Sequence, residues 1–416
     1  MLRALFPEHL SGSSATARDD IQPVSPIEDS QGPRPAASLS QKAMNIDEVY
    51  ASRVLVVIEL NGGNDGLDSV VPFRNEAYYR ARPTICVKPE NVLKAEEEVG
   101  FHPCLVGLKS LYDSGVLSIV HGCGYPNPSH SHFESMEVWH TASLVRRKNL
   151  GWLGRLADLA WSNMTSTMLI NIAEEQSLAL RAANHSPFVF QNSDDLLRDN
   201  DHRHSEMYRR FVSNHDGGNS NLAFLAKSLD DAIQISSRTR KALQNLSMAH
   251  NYGSSAIAQD LRKVAALLSA GFPTRVYYLR VRGFDTHAGQ VGRRHQLLGS
   301  IAGAVECFYK ELKQIRRDRD VSIMIFSEFG RRVAENASGG TDHGTAGPVF
   351  LVGSQVVPGF HQPHPSLTDL DEDGNLKMTV DFRRVYASVI SEWFGYLDLR
   401  SLFEGDIVPL QLFKIR

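Results

Sequence analysis

Three apolar runs in this chain break off at acidic or imidazole residues. Arg53 to Leu60 reads as a mostly buried strand, and Asn61-Gly62-Gly63-Asn64-Asp65-Gly66 ends it, because glycines let the backbone turn sharply. Val276 to Val281 leads into Gly283-Phe284-Asp285-Thr286-His287, and Val321 to Phe326 leads into Ser327-Glu328-Phe329-Gly330. In an open α/β sheet the carboxyl ends of parallel strands form the ligand crevice, so these separate segments are expected to converge.

Other periodicities fill in the frame. Pro103 to Tyr112 has helical spacing and Val116 to Val120 reads as the next strand, which predicts a βαβ unit. The turn Gly122 to Pro128 leads to Ser129-His130-Ser131-His132-Phe133-Glu134-Ser135 and a helix through Trp139, with Ser131 at or near its N-terminus. Gly151-Trp152-Leu153-Gly154-Arg155 opens another helix, and Met168 to Ile172 reads as a short strand. Gln259 to Leu268 is an amphipathic helix ending at Gly271. Helix and strand alternate from about 289 to 327, and Asp381 to Phe394 forms a last helix with Phe382, Val385, Val389 and Ile390 on one face. The alternation predicts one large α/β domain over residues 49–416. Residues 174–255, polar and helix-prone, read as a helical insertion or cap, and residues 1–48, rich in Ser, Pro, Ala, Asp and Gln, as a disordered arm.

Composition narrows the function classes. The 416 residues can bury a large core. A formal net charge of -3 without a Lys/Arg stripe predicts no nucleic-acid partner. No apolar run approaches the roughly 18 residues of a spanning helix. Cys86, Cys104, Cys123 and Cys307 lack CxxC spacing and read as free thiols. Met1 to Phe6 is too short for a signal peptide and no twin-arginine pair precedes an apolar signal run, so a cytoplasmic location is expected from these residues.

Each chemical motif has a plain structural alternative. Asp65 after glycines is ordinarily a turn-former or cap, Glu328 a cap, and Asp342-His343 a loop pair. Asp285-x-His287 is stronger, since both side chains can face one point from a strand-end loop. Ser131 competes with Ser129 and Ser135 for the nucleophile role, and each could be a helix cap. The joint placement of hard and borderline ligands at strand ends carries the reading of a hydrolytic metal site.

Asn61-Gly62-Gly63-Asn64-Asp65-Gly66-Leu67, Ser131-His132-Phe133, Gly151-Trp152-Leu153-Gly154-Arg155, Gly283-Phe284-Asp285-Thr286-His287, Ser327-Glu328-Phe329-Gly330-Arg331 and Gly340-Thr341-Asp342-His343-Gly344 together resemble a bacterial domain-of-unknown-function family, DUF1501, related to the alkaline phosphatase and sulfatase superfamily. The resemblance runs from about residue 50 to the C-terminus. It implies an alkaline-phosphatase-like three-layer α/β sandwich with a mostly parallel central sheet. It also implies one metal held by Asp285, His287 and His343, and another held by Asp65, Ser131 and Glu328. Phe329 stands where many superfamily members carry a metal His, so the second site is expected to be weak, vacant or completed by Asn64 or Asp342. An alternative register makes Asp342-His343 the superfamily's Asp-His pair; it is disfavoured because a strand-like run, Pro348 to Gly353, follows closely.

The activity so implied is hydrolysis of a small anionic ester, phosphate before sulfate, with Ser131 as nucleophile, His132 beside it and a divalent cation, zinc or manganese, as cofactor. The alternative is a non-catalytic binding or structural protein that keeps the fold and an incomplete metal site. Cys123-Gly124-Tyr125-Pro126-Asn127 is not the Cys-x-Pro-x-Arg pattern of many sulfatases. Relatives are often exported, against the location read above, and oligomeric state is not legible.

Overall fold

The first apolar run becomes strand β1 (Val54–Asn61), and its residues divide between two cores. Val54, Val56, Ile58 and Leu60 enter one, Leu55 and Val57 the other, as the two-residue period of a strand requires. A strand buried on both faces must lie inside a covered sheet. The computed structural model, which describes residues 50–145, 149–161, 167–192, 196, 220–244 and 249–414, places it there.

The other strands of this sheet are β2 (Leu117–Gly124), β3 (Leu169–Ile172), β4 (Phe188–Phe190), β5 (Val276–Arg282), β6 (Val321–Ser327), β7 (Gly347–Val352), β8 (Gly359–His361) and β9 (Val380–Asp381). Their order is β8-β2-β7-β6-β1-β5-β3-β4, with β9 also pairing β2. Every neighbouring pair is parallel except those of β7, which runs antiparallel to β2 and β6. The four strands expected to end near Asp65, Gly122, Asp285 and Glu328 therefore share one mostly parallel sheet. The βαβ unit read after β1 is wider than expected: β1 and β2 are separated by β6 and β7, which arrive much later in the chain.

Helices cover both faces. On the first lie α1 (Val106–Asp113), α5 (Ala256–Ser269) and α6 (Gln290–Gln314), contributing Leu108, Leu111, Val264, Leu267, Ile301, Val305 and Phe308 to the core. On the second lie α2 (His132–Thr141), α3 (Trp152–Ala160) and α7 (Phe382–Ser388), where Trp139 stacks on Phe382 at 4.1 Å and on Phe326 at 5.0 Å. This is a three-layer α/β sandwich. The last helix is shorter than read: α7 begins on the Asp381 cap and passes at Val389–Trp393 into a π-helical turn.

The arm expected at residues 1–48 lies outside the described residues, as do 193–195, 197–219 and 245–248 of the segment 174–255. What is described of that segment includes one long helix, α4 (Ser220–Gln244), lying against α5, and also β4, a strand at the sheet's edge where helix was expected. No described helix is long and apolar enough to cross a membrane.

A buried carboxylate sits in the first strand itself. Glu59, fully buried in β1, accepts hydrogen bonds from Tyr278 (2.6 Å) and Arg280 (2.7 Å) on β5, and pairs with His140 of α2 at 2.8 Å. The contacts tie α2 to the sheet and so fix the helix that carries Ser131 and His132 at its start. Burial by itself would raise the carboxyl's pKa, but His140 and Arg280 pull it down to about 2. A carboxylate with a depressed folded-state pKa contributes stability that is complete above its ordinary value and lost as pH falls toward 2. Glu59→Gln should therefore lower the unfolding free energy at pH 7 and flatten its decline between about pH 4.5 and 2; chemical denaturation across that range measures both.

Candidate metal centre

Loops at one edge of the sheet bring the chemistry together. Asp285 and His287 follow β5, Glu328 and Arg331 follow β6, Asp342 and His343 precede β7, and His132 opens α2. Two glycines permit the close approach. A Cβ on Gly62, whose φ is +120°, would lie 2.4 Å from the Asp285 amide nitrogen, and one on Gly340 would lie 2.3 Å from the His287 carbonyl carbon.

At the centre is Asp285 Oδ1. The Nε2 atoms of His287, His343 and His132 lie 2.9, 3.1 and 3.4 Å from it, and those of His287 and His343 are 2.9 Å apart. Donor atoms of His132, Asp285 and His343 all fall within 4.8 Å of one another. The opposite nitrogen of each ring is anchored. Nδ1 of His132 meets Glu328 Oε1 at 2.8 Å, Nδ1 of His343 meets the His130 carbonyl at 2.7 Å, and Nδ1 of His287 meets Asp342 Oδ1 at 3.1 Å. Carboxylates and carbonyls only accept, so each Nδ1 can donate a proton to its anchor. In a neutral ring Nε2 then presents a bare lone pair, and all three lone pairs aim at one carboxylate. Four electron-rich atoms this close repel unless a proton or a metal cation lies among them. His132 Nε2 is buried and makes no hydrogen bond, consistent with an atom waiting for such a partner.

The remaining expected residues occupy supporting or separate positions. Glu328, fully buried, has both oxygens engaged: Oε1 also accepts from the Gly62 amide at 2.8 Å, and Oε2 accepts from Ser327 Oγ at 2.9 Å. Asp342 accepts from Asn336 Nδ2 as well as His287. Asp65 is turned into a buried ion-pair group, its Oδ2 taking Arg82 at 2.9 Å and Arg294 at 2.6 Å, while Asp68 pairs with the same two arginines. It does not join Asp285. Ser131 is exposed at the N-cap of α2 and its side chain makes no capping bond. Ser129 and Ser135, its rivals, are tied to Glu134 and to Tyr125 with the Ser129 carbonyl, respectively.

Two residues given no part in the chemistry by the sequence reading organise the centre. Phe329 lies 4.9 Å from the rings of both His132 and His343, holding their planes by contact. The Arg331 guanidinium, fully buried, donates to the carbonyls of Gly62, Gly63, Phe284 and Thr341 and to Asp285 Oδ1. The sequence signal for both was their place in Ser327-Glu328-Phe329-Gly330-Arg331, after a strand.

The charge states follow the contacts. Burial works against ionisation of Asp285, but the hydrogen bond from the buried Arg331 guanidinium holds its carboxyl far below the usual range. The hydrogen bond to Glu328 raises the His132 imidazole above its ordinary value, whereas burial lowers that of His343. Hydrogen bonds from Asn336 and His287 keep Asp342 ionised.

A family described as proteins of unknown function (DUF1501) matches residues 118–402. No curated protein matches. Solved structures similar to this chain include the lipoteichoic acid synthase LtaP from Listeria monocytogenes, 9% identical over 86% of this chain and 74% of that one, with a TM-score of 0.40. The PsFucS1 sulfatase from Pseudoalteromonas sp. is 9% identical over 89% and 75%, at 0.39. The alkaline phosphatase from the Antarctic bacterium TAB5 is 8% identical over 84% and 99%, at 0.32.

Arg331→Leu tests the scaffold without reference to any ligand. Four carbonyls and one carboxylate would lose their donor, and the unfolding free energy should fall by about 3–5 kcal/mol in equilibrium denaturation. A fall of less than about 1 kcal/mol would show that water replaces the guanidinium at little cost.

Proposed function

The chain belongs to the family of proteins of unknown function DUF1501, and we propose that it is a metal-dependent hydrolase of anionic esters, phosphate ahead of sulfate. The observation that supports this reading is the convergence of three anchored imidazoles on Asp285. Three nitrogens and one carboxylate oxygen suit zinc first and manganese second. His132, Asp285, His287 and His343 would hold the ion, with Glu328, Asp342 and the His130 carbonyl orienting the rings. A dication bound there supplies Lewis acidity, lowering the pKa of a neighbouring hydroxyl and drawing charge from the ester oxygens.

The chain's own groups do the rest. Ser131 offers an exposed hydroxyl without a capping duty, between His130 and His132, which both touch the centre. It stands at the positive end of the ten-residue α2, where an anion or alkoxide is favoured. In this reading Ser131 Oγ gives up its proton to solvent and attacks phosphorus, the ester oxygen departs and takes a proton from solvent, and water then cleaves the seryl ester to free the serine hydroxyl and phosphate. Phe133, 90% exposed one residue beyond His132, offers an apolar platform for the organic part of the ester. A cleft of about 570 Å³ beside the ends of β3 and β5, lined by Arg280, Arg282, Gly283 and Arg293 and by Glu174, Glu175 and Asp260, includes none of the proposed metal-holding residues, and only a substituent extending past Gly283 would enter it. Part of it comes from the segment 174–255, where a cap would set specificity.

A second reading is a binding protein with a single ion. What favours it is that Asp65 and Glu328, the expected ligands of a second ion, are both engaged elsewhere. Turnover separates the two. Purified protein loaded with zinc or manganese should hydrolyse a member of a panel of phosphate mono- and diesters and aryl sulfates. Ser131→Ala should abolish that turnover with fold and metal content kept, and Asp285→Ala should lose the metal. Metal uptake with no turnover across the panel selects the binding reading; activity kept in Ser131→Ala moves the attack to water.

Metal uptake should also report the Glu328 contact. Protons compete with the ion for Nε2, and His132 holds its proton more tightly than an ordinary imidazole because of Glu328. Uptake should therefore weaken as pH falls through and somewhat above the ordinary imidazole range, near 6.5. Glu328→Gln removes the cause of the raised pKa and should shift that limb to lower pH, while weakening affinity at pH 8 by about 10–100-fold. Zinc titrations from pH 5 to 8 read both effects; an unmoved limb would remove Glu328 from the role.

A further inference from the structure

A second cluster of metal-ligating side chains lies on the first helical face, made of residues that the centre above does not use. His102 and Cys104 belong to the turn between the short strand Gly100–Phe101 and α1, a turn closed by the Leu105 amide on the His102 carbonyl at 2.9 Å. His295 stands in the second turn of α6. One donor atom from each of the three lies within 4.8 Å of the others. His102 Nδ1 is 2.9 Å from Cys104 Sγ, and the His102 and His295 rings meet edge to face at 5.6 Å. The residues grade from buried His102 through half-buried Cys104 to exposed His295, so the cluster has a buried floor and an open mouth.

From this juxtaposition we propose that His102, Cys104 and His295 form a zinc site distinct from the centre around Asp285. A thiolate and two imidazoles are the soft and borderline donors that zinc selects over calcium, magnesium or manganese. With the thiol proton released to solvent, the ligand set carries one negative charge. Three protein ligands leave one tetrahedral position, on the exposed His295 side, for water or an exchangeable small ligand. An ion there would clamp the 102–104 turn to α6. That helix also supplies Arg294, which pairs with Asp65 at 2.6 Å and sits one residue from His295. Arg294 faces Asp65 and Asp68, whose carboxylates offset its field at the cluster, and none of the three proposed ligands is shared with an arginine.

Sulfur makes the site separable from the other, whose donors are nitrogen and oxygen. Full-length reduced protein titrated with cobalt, a spectroscopic stand-in for zinc, should develop a near-ultraviolet thiolate-to-metal charge-transfer band. The band should vanish in Cys104→Ser, weaken in His295→Ala, whose exposed position spares the fold, and persist in Asp285→Ala. Zinc content after dialysis should fall by one ion per chain in Cys104→Ser. An absent band at several-fold cobalt excess, or one unchanged in Cys104→Ser, would overturn the proposal, as would equal zinc content in Cys104→Ser and the unsubstituted chain.

Discussion

The loops at the sheet's carboxyl edge meet because one buried guanidinium holds them. Taking a charge out of water is expensive, and the cost is offset only where hydrogen bonds replace hydration nearly completely. Arg331 meets that condition with carbonyls from the loop after β1, from the loop after β5 and from the loop before β7, and with Asp285 itself. Three segments distant in sequence are thereby fixed relative to one another. The arrangement has an electrostatic consequence: the cation keeps Asp285 ionised and opposes protonation of His343. A carboxylate facing neutral imidazoles is what a cation site requires, so the interaction that shapes the edge also sets its charge state.

The fourth participant, His132, reaches the centre by a different route. It begins a helix that the Glu59 network ties to the sheet, and its ring is pinned between Glu328 and Phe329. Glu328 is in turn held by the Gly62 amide and Ser327. Glu328, Phe329 and Arg331 are thus more deeply buried than the centre itself, whose Asp285 and His287 are about half exposed. Rigid support beneath an open face allows ligand atoms to be preorganised while a substrate still has access.

The fold was legible in the sequence because its signals are local. Apolar runs ending in glycines predicted β1, β5 and β6, and alternation of burial along β1 required a sheet covered on both faces. Strand order was not legible: β6 and β7 separate β1 from β2, and no local pattern encodes an insertion made two hundred residues later. At the centre, the identities of Asp285, His287 and His343 could be read as candidates, because acid and imidazole recur together at several strand ends. Their division of labour could not. Whether His132 turns its Nε2 or its Nδ1 inward depends on Glu328, some two hundred residues away. Phe329, read as a ligand lost, instead packs against two rings and fixes their planes.

Asp65 shows why residue type and place do not suffice. It follows a strand, as the reading required, but faces two guanidiniums within 2.9 Å. Burial alone would raise its pKa; Arg82 and Arg294 instead bring it down to about 2, whereas burial pushes Asp68, in the same group, up to about 6. Two carboxylates and two guanidiniums balance, and a dication added beside Asp65 would meet both arginines at short range. Coulomb repulsion over a few ångströms, little screened in a buried setting, disfavours that ion unless the arginines withdraw. Withdrawal is opposed by their other bonds, since Arg82 also donates to the carbonyls of Val333 and Arg332. The same glycine turn that could have delivered a ligand thus delivers a structural anion, and the donor atoms this edge leaves facing one point lie on the side where Asp285 meets three imidazoles.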